Sequence, residues 1–151
     1  MHCATSHLAG VFASDIPLSQ AMGVQVLSWQ ERRLQLQFPL TPNINHQASM
    51  FGGSLYCAAV LAGWGWLHLA LRDEGIDTTH IVVQSGTISY PLPVFADPVI
   101  AVCDAPDDKA WQRFLTTWHK HGKARLQVTS RVLTEVGSDG AVLTGQFVLH
   151  S

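Results

Sequence analysis

The pattern of apolar and polar positions predicts two strands near the start of the chain. Residues 33–38 alternate cleanly between polar and apolar side chains, as in a strand with one buried face. Residues 24–28 form a shorter apolar stretch just before them, and residues 29–32 are the expected turn. Residues 39–50 are rich in Pro, Asn and Ser, so we expect a loop there.

Two helices are predicted around these strands. Asp15 and Pro17 mark the start of a short helix that ends near Gly23. The segment before it, residues 1–14, is expected to be a flexible N-terminus. Residues 53–72 are apolar on every side, and a helix without a polar face is buried on most of its sides.

After the long helix the apolar pattern changes to a period of two. Further strands are expected at residues 80–88, 99–104, 124–133 and 142–150. The turns between them are expected at residues 91–98, 105–109 and 137–140. Residues 111–118 fit either a strand or a short helix. One apolar helix needs a curled antiparallel sheet around it, so the sequence predicts an α+β hotdog fold, with residues 1–151 as one domain.

Composition adds an expectation about assembly and excludes one class of partner. Only 13% of the residues are charged, which leaves more apolar surface than a monomer of this size normally exposes. We therefore expect a homodimer or a dimer of dimers, with part of that surface between subunits. The formal net charge is −2 and no basic run occurs, so binding to nucleic acid is not expected.

Several features favour a cytoplasmic protein without a metal. Cys3, Cys57 and Cys103 are widely spaced, which fits neither a zinc site nor a redox motif and suggests a reducing compartment. The first residues contain no Lys or Arg, so no signal peptide is predicted. Residues 51–71 are long enough for a membrane span, but their glycines and central aromatics favour a helix buried in protein.

The chemistry is expected where the loop meets the long helix. Asn43, Asn45 and His46 lie in the loop, and Gly52 and Gly53 lie at the helix start. The first N–H groups of a helix have no partner within the helix and carry the positive end of its dipole. Because glycines leave room for a ligand oxygen to reach those donors, this segment predicts an oxyanion hole.

The same segment lacks an acid. Between residues 41 and 71 there is no Asp or Glu, whereas hydrolysis of a thioester needs a nucleophile or a base that activates water. Decarboxylation of a malonyl thioester needs no base to begin, because loss of carbon dioxide leaves an enolate that only has to be stabilised. The Asn45 carboxamide and the N–H groups of Gly52 or Gly53 are suitable donors. Met50, Phe51 and Trp64 would desolvate the substrate carboxylate.

Three runs of residues resemble a known family. Residues 42–46, 51–56 and 61–65 resemble the YiiD C-terminal family of hotdog proteins, which is labelled as thioesterases. The resemblance covers about residues 16–149. A stand-alone chain of this length is similar to the malonyl-acyl-carrier-protein decarboxylases that supply acetyl primers to bacterial fatty acid biosynthesis.

The resemblance implies roles for individual residues. It places the family's asparagine at Asn45 and its glycines at Gly52 and Gly53. The expected catalytic residues are Asn45, His46 and Gly53, and the expected substrate-binding residues are Asn43, Met50, Phe51, Gly52 and Ser54. Residues 47–50 replace an expected Gly-Thr pair, and Met50 would narrow the pocket for a short acyl group. The substrate's phosphopantetheine comes from acyl carrier protein or coenzyme A, and no separate cofactor is expected.

Structural interpretations compete with these assignments. Asn45 can cap a turn with its side chain, His46 can hold the loop backbone, and Gly52 and Gly53 can serve close helix–sheet packing. Ser54 fits a helix hydroxyl better than a nucleophile. The pair His119 and His121 is too small for a metal site.

Two other functions compete with decarboxylation. The first is a thioesterase for a short or medium acyl chain, which would need Asp15, Asp97 or a group from a partner chain as the base. The second is an acyl-thioester binding module without turnover. Dehydratase chemistry is disfavoured, because hotdog dehydratases resemble one another in a helix acid that is absent here.

Overall fold

The computed structural model describes residues 3–151 and contains a six-stranded antiparallel sheet with one long helix against it. The first elements are α1 (Ala4–Asp15), α2 (Pro17–Ala21), β1 (Gln25–Gln30) and β2 (Arg33–Phe38). They are followed by α3 (Gly52–Asp73), β3 (Ile81–Ser89), β4 (Val99–Cys103), α4 (Asp108–His121), β5 (Lys123–Leu133) and β6 (Asp139–His150). The strand order is β1-β2-β4-β5-β6-β3, and the predicted hotdog fold is confirmed.

The long helix α3 is the centre of the hydrophobic core. Its apolar window is long enough to cross a membrane, but 78% of that window is buried inside the protein. Two glycines bring the helix close to its neighbours. A Cβ atom at Gly63 would lie 2.9 Å from the Phe147 ring, and one at Gly65 would lie 2.9 Å from Leu34 and from Leu8. The helix therefore packs too closely for a larger side chain at either position.

The flexible N-terminus expected over residues 1–14 is wrong for residues 4–14, which belong to α1. Leu8 and Phe12, four residues apart on one helix face, are fully buried, and the Phe12 ring packs 6.1 Å from the Trp64 ring. Burial of these two side chains holds the segment on α3. Residues 1 and 2 of the expected flexible segment lie outside the described residues. The short helix expected after Asp15 is confirmed as α2.

The first hairpin is tighter than the sequence predicts. The expected turn at residues 29–32 is reduced to Glu31 and Arg32, which have positive φ angles of 52° and 58°. Two-residue turns of this kind usually carry Asn or Gly, so the local residues do not indicate one. Trp66 on α3 holds the turn, because its Nε1–H donates to the Arg32 carbonyl at 2.7 Å.

The ambiguous residues 111–118 form part of α4. Asp107 caps this helix by accepting a hydrogen bond from the Ala110 N–H at 2.8 Å, and Gly122 ends it with a φ of 69°. The expected turn at residues 137–140 is also corrected. Strand β6 begins earlier than expected, so residues 134–138 form the loop before it.

Strand β3 is one edge of the sheet. It pairs only with β6, and its other side faces no strand among the described residues. Val82 and Val83 on this strand are 51% and 42% exposed. The sheet thus leaves an apolar edge beside α3, on the flank where the candidate site lies.

Candidate functional site

The start of α3 has backbone N–H groups that donate a hydrogen bond to no described residue. Phe51 occupies the N-cap position, and no side chain caps the helix. The first hydrogen bond at this end runs from the Leu55 N–H to the Phe51 carbonyl at 2.9 Å. Among residues 3–151, no acceptor is found for the N–H groups of Gly52, Gly53 and Ser54. These donors carry the positive end of the helix dipole and are available to a ligand oxygen.

The two glycines at the helix start have no role in close helix–sheet packing. A Cβ atom at Gly52 would make only ordinary contact with Tyr90, at 3.9 Å, and one at Gly53 would meet only the Phe51 ring. Gly63 and Gly65, in contrast, lie directly against core side chains. The packing explanation therefore holds for the second pair of glycines and not for Gly52 and Gly53.

Backbone hydrogen bonds position the helix start. The Phe51 N–H donates to the Asn43 carbonyl at 2.7 Å, and the Met50 N–H donates to the Val94 carbonyl at 2.8 Å. Tyr90 adds a contact that the sequence does not predict, since its hydroxyl donates to the Gly52 carbonyl at 3.2 Å. Tyr90 lies in the segment after β3, and only the tertiary structure brings it to α3.

Asn45 holds a turn of five residues. Its Oδ1 accepts hydrogen bonds from the N–H groups of Gln47, at 2.9 Å, and Ser49, at 3.1 Å. Its Nδ2 donates to the Ser49 hydroxyl at 3.0 Å, which uses one of its two hydrogens. The turn-capping interpretation is thus correct in this structure. One amide hydrogen of Asn45 is engaged by no acceptor among the described residues.

Asn43 and Met50 do not line an open site, so their expected substrate-binding roles are corrected. The Asn43 side chain is 2% exposed, and its Nδ2 donates to the carbonyls of Met22, at 2.9 Å, and Pro39, at 2.8 Å. The Met50 side chain is equally buried and belongs to the hydrophobic core. Both residues support the loop that leads to the helix, and neither narrows a pocket.

The remaining predicted residues are accessible. Phe51 is 57% exposed, with its ring over Gly53. His46 lies exposed on the turn, and its ring makes no hydrogen bond with the described residues. The Ser54 side chain is half-buried, and its hydroxyl makes no hydrogen bond within residues 3–151. These three side chains, the helix donors and the half-buried Asn45 side chain are groups that a ligand can reach.

An apolar cavity lies one turn beyond the helix start. It has a volume of about 260 Å³ and lies between α2, α3 and β3. Its lining residues are Ile16, Leu18, Ser19, Tyr56, Cys57, Val60, Leu61 and Val83. None of the predicted site residues lines this cavity, but Tyr56 lies four residues after Gly52, on the same face of α3. A larger cavity of about 730 Å³ lies between α4 and β5, and no residue of α3 lines it. The smaller cavity is therefore the one that can receive a group held at the helix start.

The two acids that a hydrolase would need are engaged elsewhere. Asp97 accepts a hydrogen bond from the Leu40 N–H at 3.1 Å, and Asp15 accepts one from the Ser14 hydroxyl at 2.8 Å. Neither makes a hydrogen bond with the residues of the helix start, and the lining of the apolar cavity contains no carboxylate. Within residues 3–151, no acid makes a hydrogen bond with the helix start or lines the apolar cavity.

The cysteines are also unsuited to nucleophilic chemistry at this site. Burial raises the pKa of Cys57, which lines the apolar cavity, and burial likewise raises the pKa of Cys103. Hydrogen bonds with Ser6 and Thr5 lower the pKa of Cys3 to about 7, but this residue precedes α1 and lines no part of the cavity. The cavity therefore holds only a protonated thiol at neutral pH.

Similarity to known proteins extends over nearly the whole chain. A solved protein of unknown function from Chlorobaculum tepidum TLS is 32% identical, with 97% of this chain and 94% of that chain covered and a TM-score of 0.90. A protein from Shewanella oneidensis, described as a "putative thioesterase", is 28% identical, with 98% of both chains covered and a TM-score of 0.86. The PaaI protein of E. coli, at 15% identity and a TM-score of 0.66 with 98% and 94% covered, shows the fold alone.

The family assignment rests on a match over almost the full length. The profile of the YiiD_C family, described as "Putative thioesterase (yiiD_Cterm)", matches residues 5–151. The match includes the turn at Asn45, the glycine pair at the start of α3 and the apolar cavity. The chain therefore belongs to the YiiD_C family of hotdog-fold proteins, which carries the description of a thioesterase.

Proposed function

We propose that this protein decarboxylates malonyl-acyl carrier protein to acetyl-acyl carrier protein in the cytoplasm, which would supply primers for fatty acid biosynthesis. One observation carries the proposal. The glycine-lined start of α3 offers unused N–H donors beside an apolar cavity whose lining contains no carboxylate. Such a site can stabilise an enolate oxygen, but it holds no carboxylate base for the activation of water.

The reaction balances without an added reagent. The bond between the malonyl carboxylate carbon and the methylene carbon breaks, and carbon dioxide leaves. The electron pair of that bond forms the enolate, whose negative charge lies mainly on the thioester oxygen. The N–H groups of Gly52 and Gly53 stabilise that oxygen, and the free amide hydrogen of Asn45 adds a second kind of donor. Protonation of the methylene carbon then yields the acetyl thioester.

Two exposed side chains have further roles in this proposal. The Phe51 ring, which lies over Gly53, excludes water from the carboxylate and favours its conversion to neutral carbon dioxide. His46 on the neighbouring turn is the candidate proton donor to the enolate carbon. The cavity of about 260 Å³ has room for an acetyl or malonyl group.

Hydrolysis of an acyl thioester is the second candidate, on carrier protein or on coenzyme A. It is favoured by the description of the family and of the relative from Shewanella oneidensis. This function would require Asp15, Asp97 or a group from a partner chain to reach the thioester and activate water.

Product analysis separates the two candidates. The purified protein is incubated with malonyl-acyl carrier protein, and the carrier is examined by intact mass. We expect loss of the mass of carbon dioxide from the carrier, with acetyl-acyl carrier protein as product. Free carrier thiol with released malonate would instead establish a thioesterase. Binding of malonyl-acyl carrier protein without formation of any product would overturn both enzyme proposals. As a control, acetyl-acyl carrier protein is incubated in the same way, which shows whether the protein hydrolyses the acetyl product.

We further propose that the protein is a homodimer formed through β3. This strand has an unpaired edge of nine residues and carries the exposed Val82 and Val83 beside the apolar cavity. Pairing with the β3 strand of a second copy would satisfy the free backbone groups and cover the open flank of α3. The cavity would then lie at the subunit interface.

We expect Val83→Lys to convert the dimer to a monomer, because the added charge would be buried at the interface. Val136→Lys is the matched control, since Val136 is 80% exposed and precedes β6 on a loop. Light scattering during gel filtration measures the mass. An unchanged dimer in Val83→Lys, or a monomeric parent protein, would contradict pairing through β3.

A further inference from the structure

Three potential metal ligands converge far from the candidate active site. His7 lies on α1, His68 on α3 and Asp77 in the loop before β3. The Nε2 atoms of the two histidines are 2.9 Å apart, and their rings are parallel to within 4°. One ligand atom from each of the three residues lies within 4.8 Å of the other two. Within the described part of the chain, no other group of three His, Cys, Asp or Glu residues meets this criterion.

The tautomer of His68 is determined by its second nitrogen. Its Nδ1 lies 2.7 Å from the Thr78 carbonyl oxygen, which can only accept a hydrogen bond. The proton therefore resides on Nδ1, and Nε2 has a lone pair directed toward His7. Metal-binding histidines nearly always donate their other N–H to such a carbonyl or carboxylate. The Trp64 ring, stacked on His68 at 5.4 Å, keeps the imidazole in this plane.

The three ligands differ in their access to solvent. His68 is almost completely buried, so its ring is held in place inside the fold. The carboxylate of Asp77 is exposed, which leaves a route for an ion from solvent. The negative charge of that carboxylate would attract a divalent cation to this place.

We propose that His7 Nε2, His68 Nε2 and the Asp77 carboxylate bind one Zn²⁺ ion. Two imidazole nitrogens and one carboxylate oxygen suit this cation, and water would occupy the fourth position. Zn–N bonds of about 2.0–2.1 Å in tetrahedral geometry place two ligand nitrogens about 3.3 Å apart. The two rings meet nearly end to end, with their centroids 5.1 Å apart. The half-buried His7 ring must therefore turn, as well as move by a few tenths of an ångström, so that both lone pairs point at the ion that replaces the hydrogen bond.

The position of this site indicates a structural role. His68 is sixteen residues after Gly52 on one helix, which corresponds to roughly 24 Å along its axis. The ion cannot contact a thioester held at the helix start. It would link α1 to α3 and to the loop before β3, so its binding should stabilise the N-terminal helix and leave the chemistry unchanged. The proposal does not depend on the proposed function.

Titration of the metal-free protein with Zn²⁺ by calorimetry tests the site. We expect one ion per chain and an increase in the midpoint of thermal unfolding. His7→Ala and Asp77→Asn should each weaken binding at least about tenfold, and both positions are accessible enough to tolerate substitution. His80→Ala is the matched control, because His80 is exposed and also stacks on a second histidine, His150, at 5.1 Å. This variant should bind like the parent.

Spectroscopy with Co²⁺ provides a readout independent of stability. Tetrahedral coordination by nitrogen and oxygen gives visible absorption bands that His7→Ala should abolish. The proposal would be overturned if the parent bound no stoichiometric Zn²⁺ at micromolar concentration. It would equally be overturned if His80→Ala weakened binding as much as His7→Ala did, since the ions would then sit on surface histidines.

Discussion

Asn45→Asp is expected to lower kcat for decarboxylation of malonyl-acyl carrier protein by about 10²–10³, the usual effect of losing one oxyanion donor. The substitution separates the two roles of this residue. A carboxylate retains the oxygen that accepts from the Gln47 and Ser49 N–H groups, so the turn should persist. A carboxylate has no N–H, so it cannot donate the hydrogen bond that the second Nδ2 hydrogen of Asn45 would make to the thioester oxygen. Steady-state kinetics with the product assay measures the change.

Two companion variants make the result specific. Ser49→Ala removes only the hydroxyl that accepts from Asn45 Nδ2, and it should leave kcat within about threefold of the parent if that contact is structural. Asn45→Ala removes both roles and should lower stability as well as kcat. If Asn45→Asp kept the parent kcat and unfolding midpoint, Asn45 would hold only the turn, and the helix N–H groups would act alone. The negative charge that Asn45→Asp introduces also repels the malonyl carboxylate, and we expect this repulsion to raise KM.

Trp66→Ala is expected to lower the free energy of unfolding by about 3–5 kcal/mol, the range for deleting a large aromatic from a core. Trp66 is fully buried in α3 and makes an edge contact with the Trp111 ring at 5.3 Å. Its Nε1–H also satisfies the Arg32 carbonyl in the first hairpin. The substitution thus opens a cavity and leaves a carbonyl without its partner. Urea denaturation followed by circular dichroism measures the loss.

Trp29→Ala is the matched control for this effect. Trp29 is half-buried on β1, and its Nε1–H makes only an exposed contact of 3.3 Å with Asp73. Its loss should cost clearly less than that of Trp66. Trp66→Phe should fall between the two, because it retains most of the ring but leaves the Arg32 carbonyl unpaired, at about 1–3 kcal/mol. The Trp29 ring packs edge-on against the Trp66 ring at 6.3 Å. Equal losses in Trp29→Ala and Trp66→Ala would therefore show that this shared contact, and not the hydrogen bond to Arg32, accounts for the effect of Trp66.

The sequence by itself determined the architecture, because periodicity and burial are local properties. Alternation over residues 33–38 matched β2, and the apolar run at residues 53–72 matched α3 to within one residue at each end. A helix that is apolar on all sides has few solutions other than a covering sheet. The glycine pair at the start of α3 was likewise visible, since glycines at a helix start expose N–H donors whatever the remaining chain does.

Side-chain direction was decided by the tertiary structure. Asn43 and Asn45 are two residues apart and look equivalent in sequence, yet one is buried against the carbonyls of Met22 and Pro39 and the other faces the turn. The sequence predicts Met50 in the pocket, but in the fold Met50 pairs with Ile44 through a backbone bridge and belongs to the core. Each outcome depends on contacts from distant segments, which local propensity does not encode.

Contacts between distant residues also produce the features that the sequence does not predict. Residues 4–15 have a weak helical pattern, and only the fit of Leu8 and Phe12 against α3 makes them a packed helix. Tyr90 reaches Gly52 across 38 positions, and His7 reaches His68 across 61. The sequence determined which elements form, because hydrophobic burial follows the local pattern. Only the tertiary structure decided which side chains meet, because their spacing along the chain says nothing about their distance in the fold.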